Sequence, residues 1–399
     1  VCESGGDSST KANSRLSKKL IPIRLLTSES RARFRLRPLV TLCIALFTLT
    51  SCARPGPETL TIVTPVATAT AVSILVATDR VPDQSRPGEY TAGRGDTLRY
   101  AEITISIPPG HSPSKIEWPT YKPDPRTTFA VVARRELTAR EFAVLARGSA
   151  KSPAYGHAGI FVHGYNYSHQ EALFRLAQMT VDSRVGARAI LFDWPSQAEV
   201  TGYVADKDSA AFARDDLTTV LSNLSVGGVK TTILAHSMGA WLAVESVRQL
   251  SLTGNTKAVS SIDQMILAAP DIDIDLLRKQ LSVSEKLSKP IVVLASKDDL
   301  ALALSKRLAG SAATAGSLDI DDPRTRDLAL KENIEVVDIS SIPSLNGTNH
   351  DRFASLAAIY PQLRQGFSNP VAGTGALVLN GVGGAISAPF RLGGAILSQ

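Results

Sequence analysis

The 399-residue chain predicts an α/β fold in which a mostly parallel sheet is covered by helices on both faces. Three observations carry that expectation. Apolar runs of about five residues alternate with stretches of helical periodicity; most of these runs end in a polar loop; and one such loop, Ala235-His236-Ser237-Met238-Gly239, has the form of a sharp strand-to-helix turn.

The elements follow in order. Ser73 to Ala77 and Arg99 to Ile107 alternate like the antiparallel strands that open a sheet, and Pro108-Pro109-Gly110 ends the second. Gly159 to Val162 reads as a buried strand running into His163-Gly164-Tyr165-Asn166. Ser168-His-Gln-Glu171 has the spacing of a capping box, with Leu173, Leu176, Ala177, Thr180 and Val181 at helical intervals behind it. Arg188 to Phe192 is a strand, Phe212 to Leu224 a helix, and Thr231 to Ala235 a strand. From Met238 a helix is expected, carrying Trp241, Leu242, Ala243, Val247 and Leu250. Strands at 265–269, 291–296 and 334–339 complete six central strands with helices between them, and a helix-like run reaches Tyr360.

At Ser237 the spacing has a physical reason. A serine on such a turn takes a strained backbone conformation, and small residues two before and two after let strand and helix approach closely. Ala235 stands where a glycine is usual, and its methyl group still lets the turn close. Ser237 is therefore the candidate nucleophile; the competing role is a serine that only caps the next helix. A nucleophile of this kind needs a base, and the fold that carries this turn supplies its partners in the order serine, acid, histidine. Of the six histidines, at 111, 157, 163, 169, 236 and 350, only His350 lies beyond the serine, in a polar loop after a strand.

The acid should follow a strand between the two, hold the imidazole in the right tautomer and stabilise the imidazolium. Asp299 is preferred, because the acid usually follows the strand after next from the nucleophile; Asp298 and Asp271 stay open. Two backbone N–H groups should receive the developing oxyanion, that of Met238 after the nucleophile and that of Tyr165 after Gly164. His163 is expected to hold this loop by hydrogen bonds. In Phe192-Asp193-Trp194-Pro195-Ser196, Pro195 stops the strand and Trp194 supplies a wall. Tyr203, Asp206 and Asp208 fall where such enzymes insert lids, and read equally as a solvated helix start.

Together Ala77-Thr-Asp-Arg80, Phe161-Val-His-Gly-Tyr-Asn166, Phe192-Asp-Trp-Pro-Ser196, Ala235-His-Ser-Met-Gly239, Ala269-Pro-Asp271 and Ser296-Lys-Asp-Asp299-Leu-Ala-Leu302 resemble a family of bacterial α/β-hydrolases of unknown function, over roughly residues 73–360. The resemblance implies an α/β-hydrolase fold, a Ser237, Asp299, His350 triad and an esterase-like activity. It also favours Asp299 over Asp298.

The amino terminus reads as an export signal. Arg31-Ala-Arg-Phe-Arg-Leu-Arg37 precedes 13 uncharged residues, Leu39 to Ser51, which are too few to span a bilayer comfortably. Leu49-Thr-Ser-Cys52 resembles the bacterial lipoprotein box, in which the cysteine thiol is acylated. The expected organisation is a targeting segment over 1–51, a flexible tether over 52–72 rich in Pro, Thr and Ala, a hydrolase domain over 73–365, and a Gly/Ala-rich tail over 366–399 with one charge, Arg391. Residues 1–30 read as an overextended translation start. The domain would then sit at the bacterial cell envelope, lipid-anchored through Cys52 and facing the periplasm or exterior.

Cysteine usage and charge bound the function. With Cys2 and Cys43 in the targeting segment, a mature chain keeps only Cys52, so no disulfide forms within it. Residues 1–51 hold nine Lys or Arg and three acids, which leaves 34 of each sign from totals of 43 and 37. The net charge of +6 thus belongs to the targeting segment, and no nucleic-acid surface is expected. The histidines lack a zinc-binding spacing, and neither a metal nor a cofactor is expected. The reading is a cofactor-independent serine hydrolase of the carboxylesterase or lipase type, acting on a small-molecule or lipid ester. The alternative is a non-catalytic binding or scaffolding lipoprotein that keeps the fold.

Overall fold

The computed structural model describes residues 54–309, 314–319, 321–345 and 347–367. The expected targeting segment, Cys52 and nearly all of the expected tail lie outside these residues. The strands are β1 (Thr70–Pro82), β2 (Tyr90–Ile107), β3 (Ala130–Leu137), β4 (His157–Val162), β5 (Arg188–Asp193), β6 (Lys230–His236), β7 (Ile262–Ala268), β8 (Ile291–Ala295) and β9 (Ile334–Asp338). The helices are α1 (Ala139–Arg147), α2 (His169–Ser183), α3 (Tyr203–Phe212), α4 (Arg214–Val226), α5 (Met238–Leu252), α6 (Thr256–Ser260), α7 (Ile274–Leu281), α8 (Leu300–Ala309), α9 (Pro323–Glu332) and α10 (Arg352–Phe367). Among the described residues no helix is long and apolar enough to cross a membrane.

All nine strands form one sheet in the order β3-β2-β1-β5-β4-β6-β7-β8-β9. Seven of them, from β1 to β9 across that order, pair in parallel, for example Val162 with Ala235 and His236 with Ala268. Only the β1–β2 and β2–β3 pairs are antiparallel. Parallel pairing brings the carboxyl ends of β4, β5, β6, β7 and β8 to one rim, where the loops that follow them meet.

The central strands β4, β5 and β7 are largely apolar because both faces of the sheet are buried there. Ile160, Val162, Ile233 and Ala235 pack with Leu217 of α4 and Leu242 and Ala243 of α5. Phe161 and Leu191 point the other way, with Leu173 and Phe174 of α2 and Phe353 of α10. The expected capping box forms: the Ser168 hydroxyl accepts from the Glu171 N–H, and the Glu171 carboxylate accepts from the Ser168 N–H at 2.9 Å.

Several boundaries differ from the sequence reading. The opening strands are longer, β1 from Thr70 and β2 from Tyr90. Rather than two antiparallel strands preceding the parallel set, β1 joins it against β5. Strand β3 and helix α1 were not foreseen, for Arg134-Arg135-Glu136 breaks the alternation of β3. Phe212 ends a helix instead of beginning one, the break falling at Ala213. The expected tether lies against the domain from Pro55 onward. There the Pro55 carbonyl accepts from Gln170 Nε2 at 2.7 Å, Leu60 is buried, and the Val63 N–H donates to the Val131 carbonyl. Pro, Thr and Ala do not by themselves make a chain flexible where apolar neighbours can be covered.

Candidate functional site

Ser237 sits between β6 and α5 with φ 53° and ψ −121°. A non-glycine residue pays a conformational penalty there, so its surroundings must enforce it. They do: the Ser237 N–H donates to the Ala268 carbonyl at 2.9 Å, and the Ser237 carbonyl accepts from the Asp271 N–H at 3.2 Å. The side chain makes no capping bond to α5, so a helix-cap role does not explain it. Two glycines give the turn its closeness. A Cβ on Gly239 would stand 2.1 Å from the His163 carbonyl oxygen, and one on Gly164 would stand 2.9 Å from Ser237 Cβ and 2.7 Å from His236 Nδ1.

His350 and Asp299 meet from opposite ends of a 51-residue separation. His350 Nδ1–H donates to Asp299 Oδ2 at 2.7 Å, with the carboxylate fully buried and the imidazole side chain 16 % exposed. Asp299 Oδ1 accepts from the Leu302 N–H at 3.0 Å, so one carboxylate both starts α8 and fixes the imidazole. The histidine also lies against the serine turn: His236 Nε2–H donates to the His350 carbonyl at 3.2 Å, and their ring centroids are 4.6 Å apart. Burial, and secondarily the charge of His350, hold His236 well below the usual histidine range, which leaves it a neutral donor.

The two other candidate acids are engaged elsewhere. Asp298 pairs with Arg352 Nη2 at 2.8 Å and again through Nη1; hydrogen bonding to that guanidinium lowers its pKa to about 2. Asp271 accepts from Tyr203 Oη at 2.8 Å and from Ser305 Oγ at 2.6 Å. Burial, then the Asp271 carboxylate, raise the Tyr203 phenol above its ordinary range. On the loop that carries His350, Asn349 adopts a left-handed φ of 63° and its side chain donates to Asp298, while the Leu300 N–H donates to the Thr348 carbonyl at 2.9 Å. The His350 loop is thus clasped on its amino-terminal side.

Residues 163–167 pass directly by Ser237 and are bonded almost residue by residue. Trp194 Nε1–H donates to the His163 carbonyl at 2.8 Å, His163 Nδ1 faces the Gly164 carbonyl at 2.9 Å, and Asn166 and Tyr167 N–H groups donate to Asp206 Oδ2 and Ser196 Oγ. His163 therefore braces the loop, as its position before the serine suggests. Asp206 departs from the expected solvated helix start: it is fully buried, and it also accepts from Ser196 Oγ at 2.6 Å and the Gln197 N–H at 2.7 Å. No spacing in the sequence distinguishes it from the exposed Asp208.

A cavity of about 260 Å³ opens beside Met238, with Tyr203, Trp241, Ile272 and Leu276 on its apolar side and Lys207 and Asp273 on its polar side. That mixture suits an organic substrate with an apolar portion. Among the described residues, no cluster of His, Cys, Asp or Glu is placed to hold a metal ion. The geometry supplies a serine on a strained turn, an acid–imidazole pair whose histidine lies against His236 of that turn, and a recess beside Met238.

No curated protein matches the chain. Residues 144–366, more than half of its length, match the family described as alpha/beta hydrolase of unknown function (DUF900), with β1, β2 and β3 preceding the matched segment. By that match, and by a largely parallel nine-stranded sheet with helices packed around it, the chain belongs to this family of α/β hydrolases.

Proposed function

We propose that the protein is a serine hydrolase that cleaves an ester-type bond through an acyl-enzyme. The observation that carries this reading is the strained Ser237, whose neighbour His236 contacts the His350 that Asp299 holds at 2.7 Å. Membership of an α/β-hydrolase family supports a hydrolase-type function.

In the proposed reaction His350 Nε2 takes the proton of Ser237 Oγ as that oxygen bonds to the carbonyl carbon. The oxyanion is received by the Met238 N–H, at the first turn of α5 where backbone donors lack intrahelical acceptors, and by the Tyr165 N–H, beside Gly164. Collapse of the tetrahedral intermediate breaks the ester C–O bond, and the imidazolium returns the proton to the leaving alcohol. A water then gives one proton to His350 and its hydroxide to the acyl carbon; the acid leaves and Ser237 regains its proton. The recess beside Met238 would seat the apolar part of a small-molecule or lipid ester.

Hydrolysis of short p-nitrophenyl esters tests the proposal. Wild type should turn over with a burst of nitrophenol, and Ser237→Ala should remove both while keeping the wild-type circular dichroism. A wild type inert to a panel of acyl lengths would favour the non-catalytic binding reading.

We also propose attachment at the cell envelope through a lipid on Cys52, a residue outside the described ones. The sequence around it supports this reading. Incorporation of labelled palmitate that is lost in Cys52→Ser is the expected result.

A further inference from the structure

The motifs Ala77-Thr-Asp-Arg80 and Phe192-Asp-Trp-Pro-Ser196 play no part in the reaction above, yet they converge behind the loop that lies against Ser237. Arg80, from β1, and Asp193, at the end of β5, form a fully buried ion pair, Nε to Oδ1 at 2.9 Å. Thr78 Oγ1–H fixes the end of β5 by donating to the Asp193 carbonyl at 2.7 Å. The same carboxylate takes His169 Nδ1–H at 2.7 Å from the first turn of α2 and lies 3.2 Å from His163 Nε2. The remaining nitrogens of the guanidinium reach backbone: Nη2 donates to the Tyr167 carbonyl at 3.1 Å and Nη1 to the Ser196 carbonyl at 3.0 Å.

A buried ion pair is a poor way to gain stability, because desolvation offsets most of the attraction and a packed apolar pair often serves as well. What an apolar pair cannot do is hold carbonyls at fixed directions, and a planar guanidinium with several donors does this well. Here the pair reaches both ends of the segment: Asp193 Oδ1 stands 3.2 Å from His163 Nε2, which also faces the Trp194 carbonyl at 3.1 Å, and Arg80 bonds the Tyr167 carbonyl. Between those ends lies Gly164, placed against Ser237 Cβ and His236, with Tyr165 next to it in the chain.

We propose that Arg80 and Asp193 are positioning residues of the active site, whose buried pair sets the distance of the 163–167 segment from Ser237 and thereby the aim of the Tyr165 N–H at the oxyanion. This rests on the hydrolase reading. The pair touches no reacting atom; it acts through the backbone it holds. Because the electrostatic benefit of an oxyanion donor depends on a fixed aim in the transition state, loosening the segment lowers kcat more than it weakens ground-state binding.

Arg80→Lys keeps the positive charge opposite Asp193 but cannot bond all the acceptors that the guanidinium reaches on Asp193, Thr91, Ser196 and Tyr167, and Thr78→Val, of nearly the same shape, removes one support of Asp193. The test combines amide hydrogen exchange with steady-state kinetics on a short p-nitrophenyl ester. Arg80→Lys should speed exchange in peptides covering 163–168 while those from β7, β8 and β9 keep wild-type protection. It should lower kcat by about 10- to 100-fold, short of the 10²- to 10³-fold typical of losing an oxyanion donor outright, with KM within about threefold. Affinity for a boronic-acid transition-state analogue should fall in proportion to kcat/KM, which a merely structural role would not produce. Thr78→Val should show the same pattern at smaller size.

Unchanged exchange at 163–168, a rise spread evenly over the sheet, or a kcat per folded molecule equal to wild type would each overturn the proposal. A wild type that cleaves no ester would overturn the hydrolase reading and the catalytic role with it. That failure shows in the unmodified protein, before any variant is made.

Discussion

Asp298 and Asp299 are neighbours in sequence, but their carboxylates face different partners: the Arg352 guanidinium for the first and the His350 imidazole for the second. Asp299→Asn should therefore lower kcat by roughly 10³- to 10⁴-fold, the scale on which a wrong imidazole tautomer acts in a serine triad. Asp298→Asn should leave kcat within about threefold, since it only loosens the clasp on the base loop. Kinetics on the two variants, at matched folded fractions, separate the roles. In the sequence, chain order left one histidine as the candidate base, and strand order preferred Asp299 among three candidate acids. Strand order could not finish the choice, because which of two adjacent side chains turns inward depends on Arg352, 54 residues away from Asp298.

Asp79 carries a pH dependence of its own. It is fully buried, neither carboxylate oxygen has a hydrogen-bond partner, and burial, with Asp216 nearby, raises its pKa to about 8 from 3.8. The folded state therefore favours the protonated acid. Its contribution to stability is fully present below pH 4 and is lost as pH rises toward and through 8, by several kcal/mol in order of magnitude. Urea midpoints should fall for wild type between about pH 5 and 9 and stay flatter for Asp79→Asn. Equal slopes would show that Asp79 is not the titrating group.

At the level of elements, the close passage of the serine turn by the loop after β4 depends on two missing side chains. Gly239→Ala would drive a methyl group into the His163 and Val162 carbonyls, which are backbone and cannot swing aside. It should destabilise the protein by about 1–3 kcal/mol or more, the cost of overpacking a tight core, as read from urea denaturation. Gly164→Ala meets Ser237 Cβ and His236, so it should spare the fold but displace the loop and cut kcat by at least about tenfold. Both glycines stand in motifs that are readable in the sequence.

What holds the loop was not readable. Arg80 and Asp193 are 113 residues apart, and Asp206 looks like any acid in the first turn of a helix. Periodicity reports which faces are buried; it carries no information on which buried polar groups find each other. The same limit explains β3, whose charged residues hide its strand period, and the segment before β1, where one buried leucine in a proline-rich stretch gave no periodic signal.

For the whole molecule, strand order is what turns scattered residues into a site. Because β5, β4, β6, β7 and β8 are adjacent and run in parallel, the loops that follow them meet at one rim. Residues 163–167, Ser237 and Asp299 come from three of those loops, and His350 lies between β9 and α10. The central claim, a serine nucleophile activated across that rim, is tested most directly by locating the adduct of a fluorophosphonate on the intact protein by peptide mass spectrometry. One adduct per chain, on Ser237 and lost in His350→Ala, is the predicted result. No adduct on folded wild type, or one on another residue, would contradict it.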